Sequence, residues 1–479
     1  MNSPTANTIK KNSIYSFLTT FTRLITNFIV FWFLARFYGP EIFGQFTFSH
    51  TVATIFIFFA DFGFDILLTT EVAKYKNHHQ EIFSKLFRLK LLFIFVTTLM
   101  MLGFIYFVKV SIISKYLLSI FCVFLIFSSI NNFLNAYFKG FEKLEYETKV
   151  SFYSNFSLLI LVGIFIYLKL NVVFIAIMFS FSRIIGTYFA IKYIKLINDF
   201  NFNITTKPNL SFRNSIAIYG AHYIFNFIYF NIDTVLIALL LNEKSVGLYQ
   251  AVFKIIALLL IIPEIINNVM LPTLSRLNVE NIDLWKGVGN MMQKILLIIG
   301  IPLSLICIIN ADSIINIIYG INNYRESVQI LRVFGFVVLL RFLLEPYGMI
   351  LTTKNRQEIR TYTVIFVTIF NVIANLIFLP LYGIIASAYI SLISNFIILA
   401  VYMLYNIEFV KEVIIRFTTF FLFIVALFLV IINKLYNINL LLNLIAVVVI
   451  YLFFGIKYFF TNQELEILLP VKIYKLFKK

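Results

Sequence analysis

Apolar residues in this chain run in blocks of about 20, not in the short stripes or alternations of a water-soluble fold. The first six blocks lie at roughly 14–37, 47–69, 89–108, 116–138, 150–168 and 172–192. The next six lie at 215–241, 249–271, 290–310, 327–351, 361–379 and 384–404, and the last two at 417–433 and 440–459. In hydrocarbon every backbone amide must be satisfied within its own segment, so runs of this length span as helices. The pattern predicts an all-α polytopic membrane protein with about fourteen transmembrane helices. Composition agrees, with 61% hydrophobic and 13% charged residues against about half and a quarter in soluble proteins. The first block has no short core ending at a small-residue cleavage site, so it reads as a retained helix.

Charge sets the expected orientation. With the N-terminus inside, alternate connections hold 26 Lys and Arg inside and 7 outside, and 6 lie within spans. Positive charge is held on the cytoplasmic side, so both termini are expected in the cytoplasm. The net charge of +17 then follows from topology, and no nucleic-acid partner is expected. The basic tail after Thr461 carries Leu465, Ile467, Leu468, Ile473 and Leu476 among its lysines, a pattern suited to anionic membrane lipids. Cys122 and Cys307 are the only cysteines, both inside apolar runs. The adjacent pair His78-His79 reads as part of a solvated loop, so no metal and no cofactor is expected.

The chain repeats itself. A shift of 203 positions lays Glu41-Ile-Phe-Gly44-Gln-Phe46 on Lys244-Ser-Val-Gly247-Leu-Tyr249 and Asp61 on Glu264. Six spans return the chain to its starting side, so such repeats are parallel. The expected organisation is an N-terminal lobe over 1–195, a cytoplasmic linker over 196–214 and a C-terminal lobe over 215–404. Two further helices and the basic tail occupy 405–479.

Polar residues inside spans cost about 2.5–3.5 kcal/mol when charged, which makes them functional candidates. His222, Asn226, Tyr229 and Asp233 fall on one stripe of the seventh span at about 100° per residue. Thr19, Arg23, Thr26 and Asn27 fall on one face of the first. Facing stripes would line a wet cavity between lobes; interhelical packing is the alternative. Arg183 in the sixth span and Arg341 in the tenth are further cavity candidates. Arg341 can also pair with Glu345 one turn away. Asp61, Asp233, Glu264 and Glu345 are candidates for ion coupling. Lys254, Lys294 and Arg332 lie near span ends, where long side chains snorkel.

The stretch Ala35-Arg-Phe-Tyr-Gly-Pro-Glu-Ile-Phe-Gly-Gln-Phe46, followed by Asp61-Phe-Gly-Phe-Asp65 and Thr70-Glu-Val-Ala-Lys74, resembles the polysaccharide-transporter family, the Wzx-type flippases. Asn231-Ile-Asp-Thr234 with Val246-Gly-Leu-Tyr-Gln-Ala251, Tyr324-Arg-Glu-Ser-Val-Gln-Ile-Leu331, and Asn371-x-x-x-Asn375 running through Pro380 to Ala388 extend the likeness along nearly the whole chain. The resemblance implies the two-lobed fold of multidrug and toxic-compound extruders. It also implies a polyprenyl-diphosphate-linked oligosaccharide (an O-antigen or capsule repeat unit) moved from inner to outer leaflet by alternating access. Polysaccharide polymerase and chain-length proteins are the implied partners. The two extra C-terminal helices also fit a flippase of peptidoglycan precursor. A cation extruder would call for an acidic or apolar cavity, against Arg23 and Arg183. A glycan polymerase or ligase would call for a large outer loop, whereas the longest expected one has 16 residues. The expected role is therefore transport, not catalysis.

Overall fold

The computed structural model describes residues 4–197 and 213–413 together with Tyr451 and Phe460; in the seventh span, side chains are described from Phe227 onward. All regular elements among the described residues are helical. They are α1 (Pro4–Asp61), α2 (Phe64–Lys74), α3 (His79–Phe107), α4 (Ile112–Gly140), α5 (Leu144–Tyr167), α6 (Val172–Ile194), α7 (Arg213–Leu240) and α8 (Glu243–Leu259). They continue as α9 (Ile261–Glu280), α10 (Ile282–Ile309), α11 (Ala311–Ile318), α12 (Ile321–Thr353), α13 (Gln357–Tyr382), α14 (Ile384–Leu404) and α15 (Ile407–Val413).

Each of the first twelve predicted spans falls on helix. Ten helical segments among the described residues are long and apolar enough to cross a membrane. One of them, Ile14–Lys74, covers the first two spans, and the shorter apolar helix Phe227–Leu240 carries the seventh. The thirteenth and fourteenth spans lie outside the described residues apart from Tyr451. Tyr451 is fully buried and packs with Phe460 in a cluster with Met291, Leu297, Ile298 and Ile301 of α10.

Two predicted spans are not single straight helices. The turn between the first two spans is a kink inside α1, where Gly39 has φ 78°. Only glycine takes that conformation cheaply, and Pro40 then starts the next helical stretch with its φ already set. The second span breaks again at Phe62 and Gly63, with φ 31° and 81°, before α2 continues it. The eighth span divides at Leu260, between α8 and α9.

The chain forms two compact units, Met1–Gln250 and Ala251–Lys479. In the first, α4 is the central helix, packed on α1, α2, α3 and α6. Its C-terminal half joins α2, α3 and α6 in one core around Phe64, Phe83, Phe133, Tyr137 and Ala190. In the second unit α12 is central, packed on α9, α10, α11 and α14. Leu92, Phe95, Leu99 and Phe107 of α3 are exposed, as are Phe366, Ile373 and Phe396 of α13 and α14. Faces of this kind belong against lipid tails, and this is a multi-pass membrane protein.

The matched glycines of the repeat meet within the first unit. A Cβ on Gly44 would lie 1.7 Å from the Glu243 carbonyl oxygen, and one on Gly247 would lie 1.8 Å from the Pro40 carbonyl oxygen. The 203 shift also pairs Pro40 with Glu243, so the contact is reciprocal. Glycine at both places lets the two backbones touch. The Glu243 carboxylate continues the junction, accepting hydrogen bonds from the Ser111 backbone N–H at 2.9 Å and the Ser114 hydroxyl at 2.7 Å.

Candidate functional site

A cavity of about 630 Å³ lies inside the first unit, within the range of small-molecule sites. Five of the first six predicted spans form its wall, the first, second, fourth, fifth and sixth. α1 contributes Thr19, Arg23 and Asn27 at four-residue spacing, one face of the helix. Thr26 belongs to a different face and is buried, which narrows the predicted stripe to three residues. Thr19 is fixed by its hydroxyl contact with Thr148 of α5 at 2.9 Å.

Arg183 reaches the cavity from α6. Asn171 caps that helix by accepting from the Val173 backbone N–H. Ser180 and Ser182, its neighbours in sequence, donate to backbone carbonyls within the helix and on α4, so they pack rather than line. The Arg183 guanidinium lies 5.4 Å from the centre of the Phe124 ring, a cation–π arrangement. Its Nε is buried with no hydrogen-bond partner. Arg23 is close enough to act on it as a like charge. Among the described residues no carboxylate comes within ion-pair distance of either arginine.

Elsewhere around the cavity the charges are already answered. Lys90 is fully buried and lies 2.6 Å from Asp61 and 3.5 Å from Asp65. Asp61 also accepts from Ser129 at 2.6 Å and Asn132 at 2.9 Å. By sequence Lys90 counts as a cytoplasmic-loop charge; the structure places it inside, as the counter-ion of two aspartates across the break at Gly63. That removes one charge from the inside count and leaves its asymmetry in place. The signal available in sequence was weak: a lysine one residue into an apolar block. At the cavity mouth, Lys139 pairs with Glu147 at 3.2 Å.

Of the remaining predicted residues, none with a described side chain is among those lining this cavity. Asp233 and Tyr229 of α7 are buried, and Asp233 accepts a hydrogen bond from Tyr249 of α8 at 2.8 Å. Thr234 and Gln250 form the neighbouring contact at 2.5 Å, so two of the family-like segments serve to hold α7 on α8. His222 and Asn226 lie outside the described side chains. Arg341, Glu264 and Glu345 belong to the second unit. Arg341 is buried in α12, and Glu345 accepts from Asn267 of α9 at 2.7 Å. Glu264, matched to Asp61 by the repeat, is exposed in the first turn of α9, so the match does not extend to environment.

Two further readings, for His79 and Lys294, are corrected, and that for Arg332 is not. His79 is buried, not solvated, and is hydrogen-bonded to Tyr137 at 2.6 Å. Burial holds its imidazole below the usual histidine range. Lys294 is buried at 3% exposure beneath the Phe460 ring, so it does not snorkel. Arg332 is exposed and pairs with Asp312.

A membrane bundle with an arginine-bearing polar cavity is what a carrier of anionic polar cargo needs. The family model described as "Polysaccharide biosynthesis protein" matches residues 9–278, more than half of the chain. The chain belongs to this family. A second family model, MatE, matches residues 220–377. The teichuronic acid biosynthesis protein TuaB of Bacillus subtilis is 29% identical over 133 residues. That match covers 28% of this chain and 27% of the relative's length. Among solved structures, the lipid II flippase MurJ in its inward closed conformation superposes with a TM-score of 0.72 at 16% identity, covering 92% of this chain and 98% of that one. An inward-facing multidrug-resistance MATE transporter superposes with a TM-score of 0.68 at 14% identity, covering 81% and 96%. The fold of this chain is thus that of the MATE and MurJ transporters, as the resemblance implied.

Proposed function

We propose that the protein flips a polyprenyl-diphosphate-linked oligosaccharide from the inner to the outer leaflet of a bacterial cytoplasmic membrane, by alternating access of two six-helix lobes with both termini in the cytoplasm. The observation that carries this reading is the pair Arg23 and Arg183, two guanidinium groups in a polar intramembrane cavity without an acidic partner among the described residues. A diphosphate is the natural complement of such a pair, because guanidinium meets phosphate oxygens bidentately. The glycan needs the polar wall: each hydroxyl moved unpaired into hydrocarbon costs about 4–8 kcal/mol. The prenyl tail can stay in lipid. No step of this cycle makes or breaks a covalent bond, so the protein is a transporter and not an enzyme.

The same pair argues against an organic cation as cargo. A lipid-linked peptidoglycan precursor is the second reading, supported by the extent of the fold likeness to the lipid II flippase. Both cargoes share the prenyl diphosphate, so the glycan must decide. Deletion of the gene is expected to abolish surface polysaccharide and to strand lipid-linked oligosaccharide on the inner leaflet. Normal surface glycan in the deletion strain would sink the proposal, and accumulation of peptidoglycan precursor would select the second reading.

A further inference from the structure

The N-terminal end of α5 and the C-terminal end of α6 meet in a strip of aromatic rings. Tyr146 of α5 lies 5.3 Å from Tyr193 of α6, and Tyr153 of α5 stacks on Phe189 of α6 at 4.3 Å. Tyr146, Lys149 and Tyr153 follow at three- and four-residue spacing, so they share one face of α5. The Lys149 amine sits over both tyrosines, 5.4 Å from the Tyr146 ring centre and 5.8 Å from that of Tyr193. Two rings from two helices thus hold one cation. Lys192 in the last turn of α6 and Lys195 at its C-cap stand on either side of Tyr193 in sequence. Lys149, Lys192 and Lys195 are all exposed.

The protein does not answer these cations. Between residues 139 and 197 the carboxylates are Glu142, Glu145 and Glu147. Glu145 pairs with Lys11 at 2.7 Å and Glu147 with Lys139 at 3.2 Å. Glu142 is exposed in the turn before α5, at φ 57°. Among the described residues no carboxylate comes within ion-pair distance of Lys149, Lys192 or Lys195. Lysine at a span end follows from topology. Topology does not place a lysine more than a turn inside a helix, on two rings, beside an apolar face. Phe152, Tyr153, Phe156 and Tyr188 of the same two helices are exposed, so the cations border a surface that belongs against acyl chains. Tyrosine suits headgroup depth, with its ring in the apolar layer and its hydroxyl in the wet one. A ligand matching all of these features carries a phosphate at headgroup depth and acyl chains below it.

We propose that this face of α5 and α6 is a docking site for an anionic phospholipid, its phosphate held by Lys149 with Lys192 and Lys195 beside it and its acyl chains laid along the exposed aromatic face. The transported cargo is not the occupant. On α5 the cavity is lined by Glu147, Val150, Ser151 and Ser154, a different face of the helix from Tyr146, Lys149 and Tyr153. The inference goes beyond the flippase reading and does not depend on it. On the orientation proposed above, the lipid belongs to the inner leaflet. A lipid seated there bridges α5 and α6 across the aromatic strip and so stabilises the first unit by binding the folded state.

The test titrates phosphatidylglycerol into delipidated full-length protein in detergent, with phosphatidylcholine as the neutral probe, and reads the melting temperature. Phosphatidylglycerol is expected to raise it saturably and phosphatidylcholine to leave it unchanged. Lys149→Gln should raise the half-saturating phosphatidylglycerol concentration about fivefold, and adding Lys192→Gln should raise it further. Lys76→Gln, at an exposed lysine of the turn before α3, should leave it unchanged. Tyr193→Phe keeps the ring and should behave as the wild type, whereas Tyr193→Leu should weaken the lipid. An equal loss from Lys76→Gln and Lys149→Gln would mean general attraction to positive charge and would overturn the site. Equal stabilisation by the two lipids would overturn it as well. In both cases the flippase reading stands. If Lys149→Gln with Lys192→Gln loses binding of sugar-free polyprenyl diphosphate while phosphatidylglycerol binds as before, the face belongs to the cargo and the proposal fails.

Discussion

The two walls of the cavity hold comparable charge and do different work. On one, Asp61 receives Lys90, Ser129 and Asn132, and Asp65 shares the same lysine. On the other, Arg23 and Arg183 stand near each other with only an aromatic ring beneath one of them. A charge inside a membrane is tolerated when it is paired or when it faces a wet path. The Asp–Lys–Asp group is of the first kind and fastens α1, α2, α3 and α4 across the break in the second span. The arginines are of the second kind. On the proposed reading, the difference separates structural charge from charge held ready for a ligand.

The largest expected effect is on the structural wall. Lys90→Ala leaves two aspartates without their buried counter-ion and should destabilise the first unit by about 3–5 kcal/mol, read as thermal unfolding in detergent. Adding Asp61→Asn and Asp65→Asn to Lys90→Met should restore most of that loss; if it does not, the group is more than a fastening. On the other wall the pattern should invert. Arg183→Ala should leave the melting temperature unchanged or raised, because it removes a repulsion and a desolvated charge. Export should fall about tenfold, or about 1.4 kcal/mol, measured as surface glycan at equal protein level. A stability loss comparable to that of Lys90→Ala would erase the distinction between the walls.

A smaller effect tests the hydrogen bonds of the acidic wall. Asn132→Ala removes one donor to Asp61 and should cost about 1 kcal/mol, since Lys90 and Ser129 remain. The smallest effect lies before the third predicted span. Burial holds His79 below its ordinary value, so the unfolded chain binds the proton more readily than the folded one. Stability from this group is therefore present above about pH 6.5 and is lost as pH falls below that value. His79→Gln should flatten that part of the melting-temperature profile.

The spans were legible because a 20-residue apolar block admits one structure in lipid. Where they break was not. Gly39-Pro40 looks like any turn, and Gly63 sits within an apolar run that reads as continuous. The cationic wall was legible for a related reason: a mid-span arginine has few excuses. Lys90 was missed because its partner is 29 residues away on another helix, and positive charge beside a span boundary defaults to the loop. The α7 stripe shows a limit of spacing alone. Helical spacing grouped Asp233 and Tyr229 with residues expected to line a cavity, yet Tyr249 of the next helix claims Asp233. One-helix periodicity reports a shared face and not what that face meets. The glycine match at 203 positions reported more than identity could, since Gly44 and Gly247 approach each other's neighbours along the backbone.

The central claim is that the unpartnered arginines carry the anionic headgroup. Its most direct test is reconstitution of the purified protein into vesicles containing the lipid-linked oligosaccharide, followed by the rate at which the glycan becomes accessible on the opposite leaflet. The account predicts that Arg23→Ala combined with Arg183→Ala slows this rate at least tenfold, while Asp61→Asn with Lys90→Met in a folded protein slows it far less. Transport at the wild-type rate by the double arginine variant would contradict it.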